Sequence, residues 1–159
     1  KILGFKALFF WSPLVLNLIA NTSTEKKVYK VLEPFISNKG LRIVKIQFRK
    51  GNELKLLVFL DRIDGKVTID ECADISVEIN SLLDIESIIK DPYRLEVSSA
   101  GIDRYLSSLD DFTKYKNHNV KVKSETYSGR GKLIAHSPNS LTLSSNNGKT
   151  CLDLSLIHI

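Results

Sequence analysis

The sequence predicts an α+β protein of two parts: a two-layer α-β-β-α-β domain, followed by a small all-β barrel that is truncated at its C-terminal end. Two observations predict this division. Residues 24–97 alternate between helix-like and strand-like hydrophobic periods, whereas residues 120–150 contain only short alternating runs between turn signals. The change of pattern indicates a domain boundary near residue 100.

We expect four segments along the chain. They are an apolar leader at 1–21 that is not native, an N-terminal α/β domain at 22–101, an interdomain linker at 102–109, and the barrel at 110–159. The last six residues, LSLIHI at 154–159, resemble the translation of a sequencing adapter. On that interpretation native sequence stops near Asp153 and the barrel is incomplete.

The leader permits three interpretations. Lys1 and Lys6 precede a largely apolar run, as in a signal peptide or membrane anchor, but Ser12-Pro13 interrupts that run. A docking helix is the second possibility. We favour the third, a reading frame extended upstream of a start near Leu18 or Ile19 at a non-standard codon.

The first domain is predicted from periodicity. Residues 24–37 repeat apolar side chains every three or four positions, which predicts a helix. Residues 41–49 alternate, which predicts a half-buried strand whose outer face, including Lys45, is basic. Residues 54–61 are apolar on both faces and should form the central strand.

A second helix should begin at Thr68. Thr68 and Glu71 have the spacing of a capping box, and the helix behind them carries an apolar side that includes Ile69, Cys72 and Ile79. A third strand then starts at Tyr93. The order helix, strand, strand, helix, strand is similar to the type II KH layout.

The remaining sequence is typical of short antiparallel strands. Ser128-Gly129 and Pro138-Asn139 are turn signals, and residues 146–148, Asn-Asn-Gly, are a strong hairpin signal. A helical turn at 108–115 precedes these strands. Strands this short at this spacing predict a barrel of the SH3 or Sm type.

Composition and cysteine spacing limit the kind of protein this chain forms. A hydrophobic content of 43% and a charged content of 26% exclude general disorder, and a net charge of +5 permits an RNA partner without demanding one. Cys72 and Cys151 lie far apart and outside any CxxC motif. We interpret both as reduced core thiols.

The sequence gives little support for catalysis. Ser98 and Ser99 lack the Gly-x-Ser-x-Gly surroundings of an activated serine, and neither His118 nor His136 has the spacing of a base or metal ligand. We therefore predict no enzyme activity, no cofactor and no metal site.

Charge is distributed unevenly along the chain. Residues 67–89 contain six acidic residues and no lysine or arginine, whereas residues 112–132 are mainly basic. Each patch is explained most simply as a solvated surface. Together they indicate a molecule with one surface for a basic protein and another for RNA. We call Asp70, Glu71, Asp74 and Glu78 the acidic face, and Lys121, Lys123, Arg130 and Lys132 the basic face.

The junction between the two parts, YRLEVSSAGIDRYL at 93–106, also permits two interpretations. A strand is expected to break into a small-residue loop at Ser98 and Ser99, followed by Gly101 and the pair Asp103 and Arg104. The loop either fixes a turn, with Gly101 at positive φ, or offers free backbone N–H groups to an anion beside Arg104. The residues alone favour the structural interpretation.

This junction resembles the SSPG-hydrophobic-DRPL signature of the RimP family of ribosome maturation factors. The segment DGKVTIDEC at 64–72 is similar to the family's glycine and helix start, and the resemblance extends over roughly 28–153. Ala100 and Tyr105 stand where the family typically has proline, so we expect a softer hinge.

The resemblance implies a cytoplasmic, monomeric, non-enzymatic factor that assembles the small (30S) ribosomal subunit, with an α/β domain followed by an Sm-like barrel. It implies as partners the pre-30S particle, a basic small-subunit ribosomal protein near the decoding region, and 16S rRNA. The acidic face would meet the protein, and the basic face would meet the rRNA. The rival interpretations are a free-standing RNA-binding module of KH-like plus Sm-like type, and a membrane-tethered domain.

Overall fold

The computed structural model describes residues 18–62, 65–101, 105–124, 127–146, 148–154 and 157–158. Contacts divide the chain into two compact units. The N-terminal unit is Ile19–Tyr105, and the C-terminal unit contains Leu18 together with the described residues from Leu106 onward. Among the described residues, no helix is both long enough and apolar enough to cross a bilayer.

The N-terminal unit has the predicted order of elements around a mixed three-stranded sheet. In that sheet β2 (Leu54–Asp61) is central, antiparallel to β1 (Arg42–Lys50) and parallel to β3 (Tyr93–Ser99). The central position predicted from the apolar sequence of β2 is therefore confirmed. The two helices are α1 (Ser23–Asn38) and α2 (Ile69–Glu86).

Capping boxes fix where both helices begin. The Thr22 hydroxyl accepts from the backbone N–H of Glu25, and the Glu25 carboxylate accepts from the N–H groups of Asn21 and Thr22. The second oxygen of Glu25 accepts from the N–H of Phe48 at 2.8 Å. One buried carboxylate therefore caps α1 and joins it to β1. Thr68 and Glu71 form the equivalent, predicted box at α2.

The core of this unit is a layer of aliphatic side chains between the helices and the sheet. Helix α1 packs on β1, α2 packs on β3, and the two helices contact each other. Burying a side chain of this size stabilises the fold by roughly 1.5–3 kcal/mol. The most deeply buried members are Leu32, Ile36, Ile46, Leu56, Leu60, Ile79 and Leu83.

The predicted basic outer face of β1 is wrong at Lys45, which is only 5% exposed. The pairing of β1 with β2 shifts between Ile43 and Lys45, so the strict alternation assumed from the sequence is lost there. The Lys45 ammonium donates to the Asn21 side chain at 3.3 Å. Burial lowers the pKa of Lys45, and the nearby Glu25 carboxylate opposes that effect.

The C-terminal unit is a short helix followed by an antiparallel sheet of β4 (Asn119–Ser124), β5 (Ser128–Ser137), β6 (Ser140–Ser145), β7 (Gly148–Asp153) and β8 (Ile157–His158). The strands lie in the order β7-β6-β5-β4-β8. The predicted turns at Pro138-Asn139 and before Gly148 are confirmed, because β5 pairs with β6 and β6 pairs with β7. The predicted turn at Ser128-Gly129 is wrong, since both residues belong to β5. The short helix is α3 (Leu109–Lys114).

Phe112 is fully buried at the centre of this unit. It packs in a cluster with inward-facing residues of β4, β5, β6 and β7, as expected for a sheet with one covered face. Leu154 is also fully buried there, and its N–H donates to the carbonyl of Asn139 at 2.8 Å. Cys72 is buried in the N-terminal unit, but Cys151 is exposed, so its prediction as a core thiol is wrong.

Candidate functional site

The outer surface of α2 combines exposed hydrophobic side chains with exposed carboxylates. Ile69, Val77 and Ile85 are 88%, 68% and 77% exposed, and all three lie on this helix. They recur every eight residues, and each step turns the position by about 80° around the helix. The three side chains therefore run obliquely across the outer surface of α2, from one flank at Ile69 to the other at Ile85, and we call them the apolar ridge. The prediction that Ile69 lies on the buried side of this helix is wrong, since its side chain is exposed.

The acidic face beside the ridge contains two kinds of carboxylate. Glu71 pairs with Arg62 at 2.7 Å, and Glu78 pairs with Lys39 at 2.8 Å. The hydrogen bond from the Thr68 N–H and then the Arg62 guanidinium lower the pKa of Glu71. Asp70 and Asp74 are exposed and make no side-chain hydrogen bond or ion pair with the described residues. Within the acidic face, these two offer a carboxylate that no described residue already pairs with.

The basic face lies on one surface of the β4–β5 hairpin. Val122 is fully buried, so its neighbours Lys121 and Lys123 point to the opposite, exposed side of β4. Arg130 lies directly across from Lys121 on β5, and Lys132 lies across from Asn119. The structure thus brings all four predicted residues together, and none of them has an ion-pair partner within the described part of the chain.

Lys149 extends the basic face and was missed in the sequence. It lies across from Ser144 on β6, and Ser144 lies across from Lys132 on β5, so all three side chains leave the sheet on the same side. Two strand spacings place Lys132 and Lys149 about 10 Å apart. The alternation of residues 148–153 indicates that Lys149 points to the exposed side of its strand. It does not show that Lys149 lies across from Ser144, which depends on the pairing of β6 with β7.

The junction differs from the predicted loop. Ser98 and Ser99 belong to β3 and pair with β2, and the N–H of Ala100 donates to the carbonyl of Leu60 at 2.8 Å. The expectation of a loop at Ser98 and Ser99 is therefore wrong, because the strand continues for two more residues, and the N–H of Ala100 is covered by β2. Gly101 has the expected positive φ, +59°. Asp103 and Arg104 lie outside the described residues.

Tyr105 lies near the end of the junction and is the last residue of the N-terminal unit. Its ring lies 5.2 Å from that of Phe59, tilted by 55°. A proline at position 105 would lack the aromatic ring that contacts Phe59. A proline at position 100 would lack the backbone N–H that donates to the carbonyl of Leu60. The softer hinge expected from Ala100 and Tyr105 stays a prediction.

The histidines considered for catalysis occupy structural positions in the C-terminal unit. The Nε2 atom of His136 lies 3.0 Å from the Thr113 hydroxyl, and its ring lies 5.9 Å from that of Phe112. Nδ1 of His118 lies 3.2 Å from the carbonyl of Lys116. Within the described ranges, no three His, Cys, Asp or Glu side chains are grouped to hold a metal ion.

A comparison with protein-family models identifies the N-terminal unit. Residues 31–103 match the model of the RimP N-terminal domain. The matched range begins inside α1 and extends beyond β3, so it includes the sheet, the acidic face and most of the junction. The N-terminal unit of this chain therefore carries the N-terminal domain of the RimP family of ribosome maturation factors.

Proposed function

We propose that this protein is a maturation factor for the small (30S) ribosomal subunit. It acts in the cytoplasm as a monomer, without a cofactor or catalysis, and binds the pre-30S particle through a ribosomal protein and 16S rRNA. The observation that carries the proposal is the RimP N-terminal domain at residues 31–103. The two charged surfaces support the division of contacts between protein and RNA.

The surface of α2 supports a contact with a basic protein. Exposed apolar residues at Ile69 and Val77 gain free energy when a partner removes them from water, by roughly 25 cal/mol for each Å². Asp70 and Asp74 add negative charge that attracts lysine and arginine and repels phosphate. A basic ribosomal protein near the decoding region satisfies both requirements.

The basic face supports a contact with 16S rRNA. Four cations on one surface of the β4–β5 hairpin, extended by Lys149, attract a phosphate backbone, and each phosphate contact made releases counterions. We assign the C-terminal unit to the Sm-like type and the N-terminal unit to the type II KH-like layout. In the N-terminal unit, the acidic surface of α2 disfavours contact with RNA because it repels phosphate.

Sucrose-gradient fractionation of a tagged protein tests the proposal. We expect the protein to migrate with small subunits and their precursors rather than with large subunits. Raising the salt concentration should release it, because part of the binding free energy comes from phosphate contacts. A variant with Lys121→Glu and Lys132→Glu serves as the matched control and should remain near the top of the gradient.

Other distributions would contradict the proposal. Migration with free RNA, and absence from subunit fractions, would instead favour a free-standing RNA-binding module of KH-like plus Sm-like type. Pelleting with membranes would favour a tethered domain. Equal association with both ribosomal subunits would remove the specificity for the small one.

A further inference from the structure

Strand β3 has a free edge in the three-stranded sheet. It pairs with β2 on one side, and no described strand pairs with it on the other. The Ala100 N–H points toward β2, and the direction of the backbone groups reverses from one residue of a strand to the next. The N–H and C=O groups of Leu95 and Val97 therefore point away from the sheet. Within the described residues these four groups have no hydrogen-bond partner. An edge of this kind is able to accept another strand.

A groove of about 420 Å³ follows this edge between β3 and α2. Its walls come from the first two turns of α2 and from most of β3. Ile69 is the first residue of the apolar ridge and forms part of the wall, so an exposed hydrophobic side chain stands beside unpaired backbone groups. The lining residues are Thr68, Ile69, Cys72, Ala73, Ser76 and Leu95 to Ser99.

The charge around the groove selects the occupant. Among the described residues no lysine or arginine lines it, and the lining Glu96 is already paired with Lys55 at 3.0 Å. Asp70 and Asp74 each follow a lining residue, Ile69 and Ala73, and lie about 100° further around the helix, on its outer side, where they make no ion pair with described residues. A phosphate backbone would be repelled here, whereas a lysine- or arginine-containing peptide would be attracted.

We propose that the β3 edge binds an extended basic segment of a partner protein as a fourth strand of the sheet. The segment hydrogen-bonds to Leu95 and Val97, places small apolar side chains against Ile69 and Ala73, and directs cations toward Asp70 and Asp74. The identity of the partner rests on the proposed function, in which a basic ribosomal protein meets α2. The mode of binding rests on the edge and the groove alone.

A pair of substitutions isolates the backbone contribution. Val97→Pro removes the outward N–H and leaves the bonds to β2 intact, because proline is tolerated where the N–H faces away from the sheet. Val97→Ala removes most of the same side chain and keeps the N–H. We expect Val97→Pro to bind purified small subunits at least about 10-fold more weakly than Val97→Ala, which corresponds to roughly 1.4 kcal/mol. Equal affinities of two folded variants would overturn strand addition.

Amide hydrogen exchange on the unmodified full chain gives a second measurement that does not depend on the proline variant. The probe is an alternating Lys-Val peptide of about ten residues, compared with a Glu-Val peptide and an RNA of similar length. We expect the Lys-Val peptide to protect the amides of Leu95 and Val97 and the Glu-Val peptide to leave them unchanged. Protection by the RNA alone, or protection already complete without a probe, would overturn the proposal.

The two sets of results separate this inference from the proposed function. If the wild-type chain fails to bind small subunits but the Lys-Val peptide protects the edge, the ribosomal partner is wrong and the strand-addition site stands. If the chain binds subunits while the amides of Leu95 and Val97 exchange equally fast with and without peptide, the strand-addition site is wrong and the proposed function stands.

Discussion

Helix α2 and the β4–β5 hairpin present opposite charges in different ways. On α2 two of the four residues of the acidic face already pair with Lys39 and Arg62, and the other two stand beside exposed hydrophobic residues. On the hairpin the cations have no ion-pair partner in the described residues, and the apolar side chains lie on the opposite, buried surface. The helix therefore suits a contact that excludes water, and the hairpin suits a solvated phosphate backbone.

The difference also shows how local sequence misrepresents charge. Residues 67–89 contain no cation, yet Lys39 and Arg62 reach the helix from outside that window. Exposed pairs of this kind contribute little to stability. Their greater effect is to reduce the negative potential at Glu71 and Glu78, so that within the acidic face it remains at Asp70 and Asp74.

Reversing charge on the hairpin should have the largest effect. Lys121→Glu with Lys132→Glu changes the net charge of the basic face by four units and replaces attraction to phosphate by repulsion. We expect affinity for purified small subunits to fall by about 100-fold, measured by filter binding at fixed salt. The change should leave thermal unfolding unaltered, because both side chains are exposed. Unchanged affinity in a folded variant would remove the hairpin from the interface.

Reversing charge on α2 should have a smaller effect, because the ridge supplies part of the binding. Asp70→Lys with Asp74→Lys should weaken association with small subunits by about 10-fold while leaving binding to naked RNA equal or stronger. Glu71→Lys with Glu78→Lys is the matched control at the paired acids. It should weaken subunit association less and lower stability more. The opposite order would show that the paired acids form the contact.

The capping boxes of the two units allow a comparison of stability. In α3 the Asp111 carboxylate is 2% exposed and accepts from Ser107 and Ser108, whereas the Thr68 box of α2 is exposed. Ser108→Ala should therefore destabilise the protein by about 1–2 kcal/mol and Thr68→Ala by about 0.5–1 kcal/mol. Urea denaturation measures both. Equal losses would mean that burial does not distinguish the two caps.

Tyr29 gives the N-terminal unit a sensitivity to alkali. Burial, with a smaller effect of the Glu33 carboxylate, raises the pKa of Tyr29 from 10.0 to about 12. Unfolding therefore releases a proton in this range, so stability falls as the pH rises from 10 to 12. By pH 11 the wild type should lose about 1 kcal/mol relative to Tyr29→Phe. Parallel pH dependence of the two proteins would contradict this assignment.

Much of the fold could be predicted because hydrophobic period and turn chemistry are local. The order of elements, the capping box at Thr68 and the hairpin before Gly148 each follow from a few neighbouring residues. The burial of Lys45 could not be predicted, because it depends on a register shift against β2. Lys149 was missed for a similar reason, since only strand pairing shows that it shares a surface with Lys132.

The candidate site was predictable in part. The residues of the basic face were identified from the excess of cations in residues 112–132, and strand alternation explains why the structure places them on one surface. The end of β3 was placed two residues too early, because Ser98 and Ser99 have the composition of a loop but pair with β2. The free edge of β3 was not foreseen, since the position of a strand within a sheet depends on topology rather than on its own residues.

The salt dependence of RNA binding tests the central claim, that the two units divide protein and RNA contacts between them. It should be measured for the wild type, for Lys121→Glu with Lys132→Glu, and for Asp70→Lys with Asp74→Lys on a short 16S rRNA duplex. We expect the slope of log affinity against log salt to decrease by about 2 for the hairpin variant and to stay unchanged, or become steeper, for the helix variant. A similar decrease for both variants, or for neither, would contradict the division of contacts.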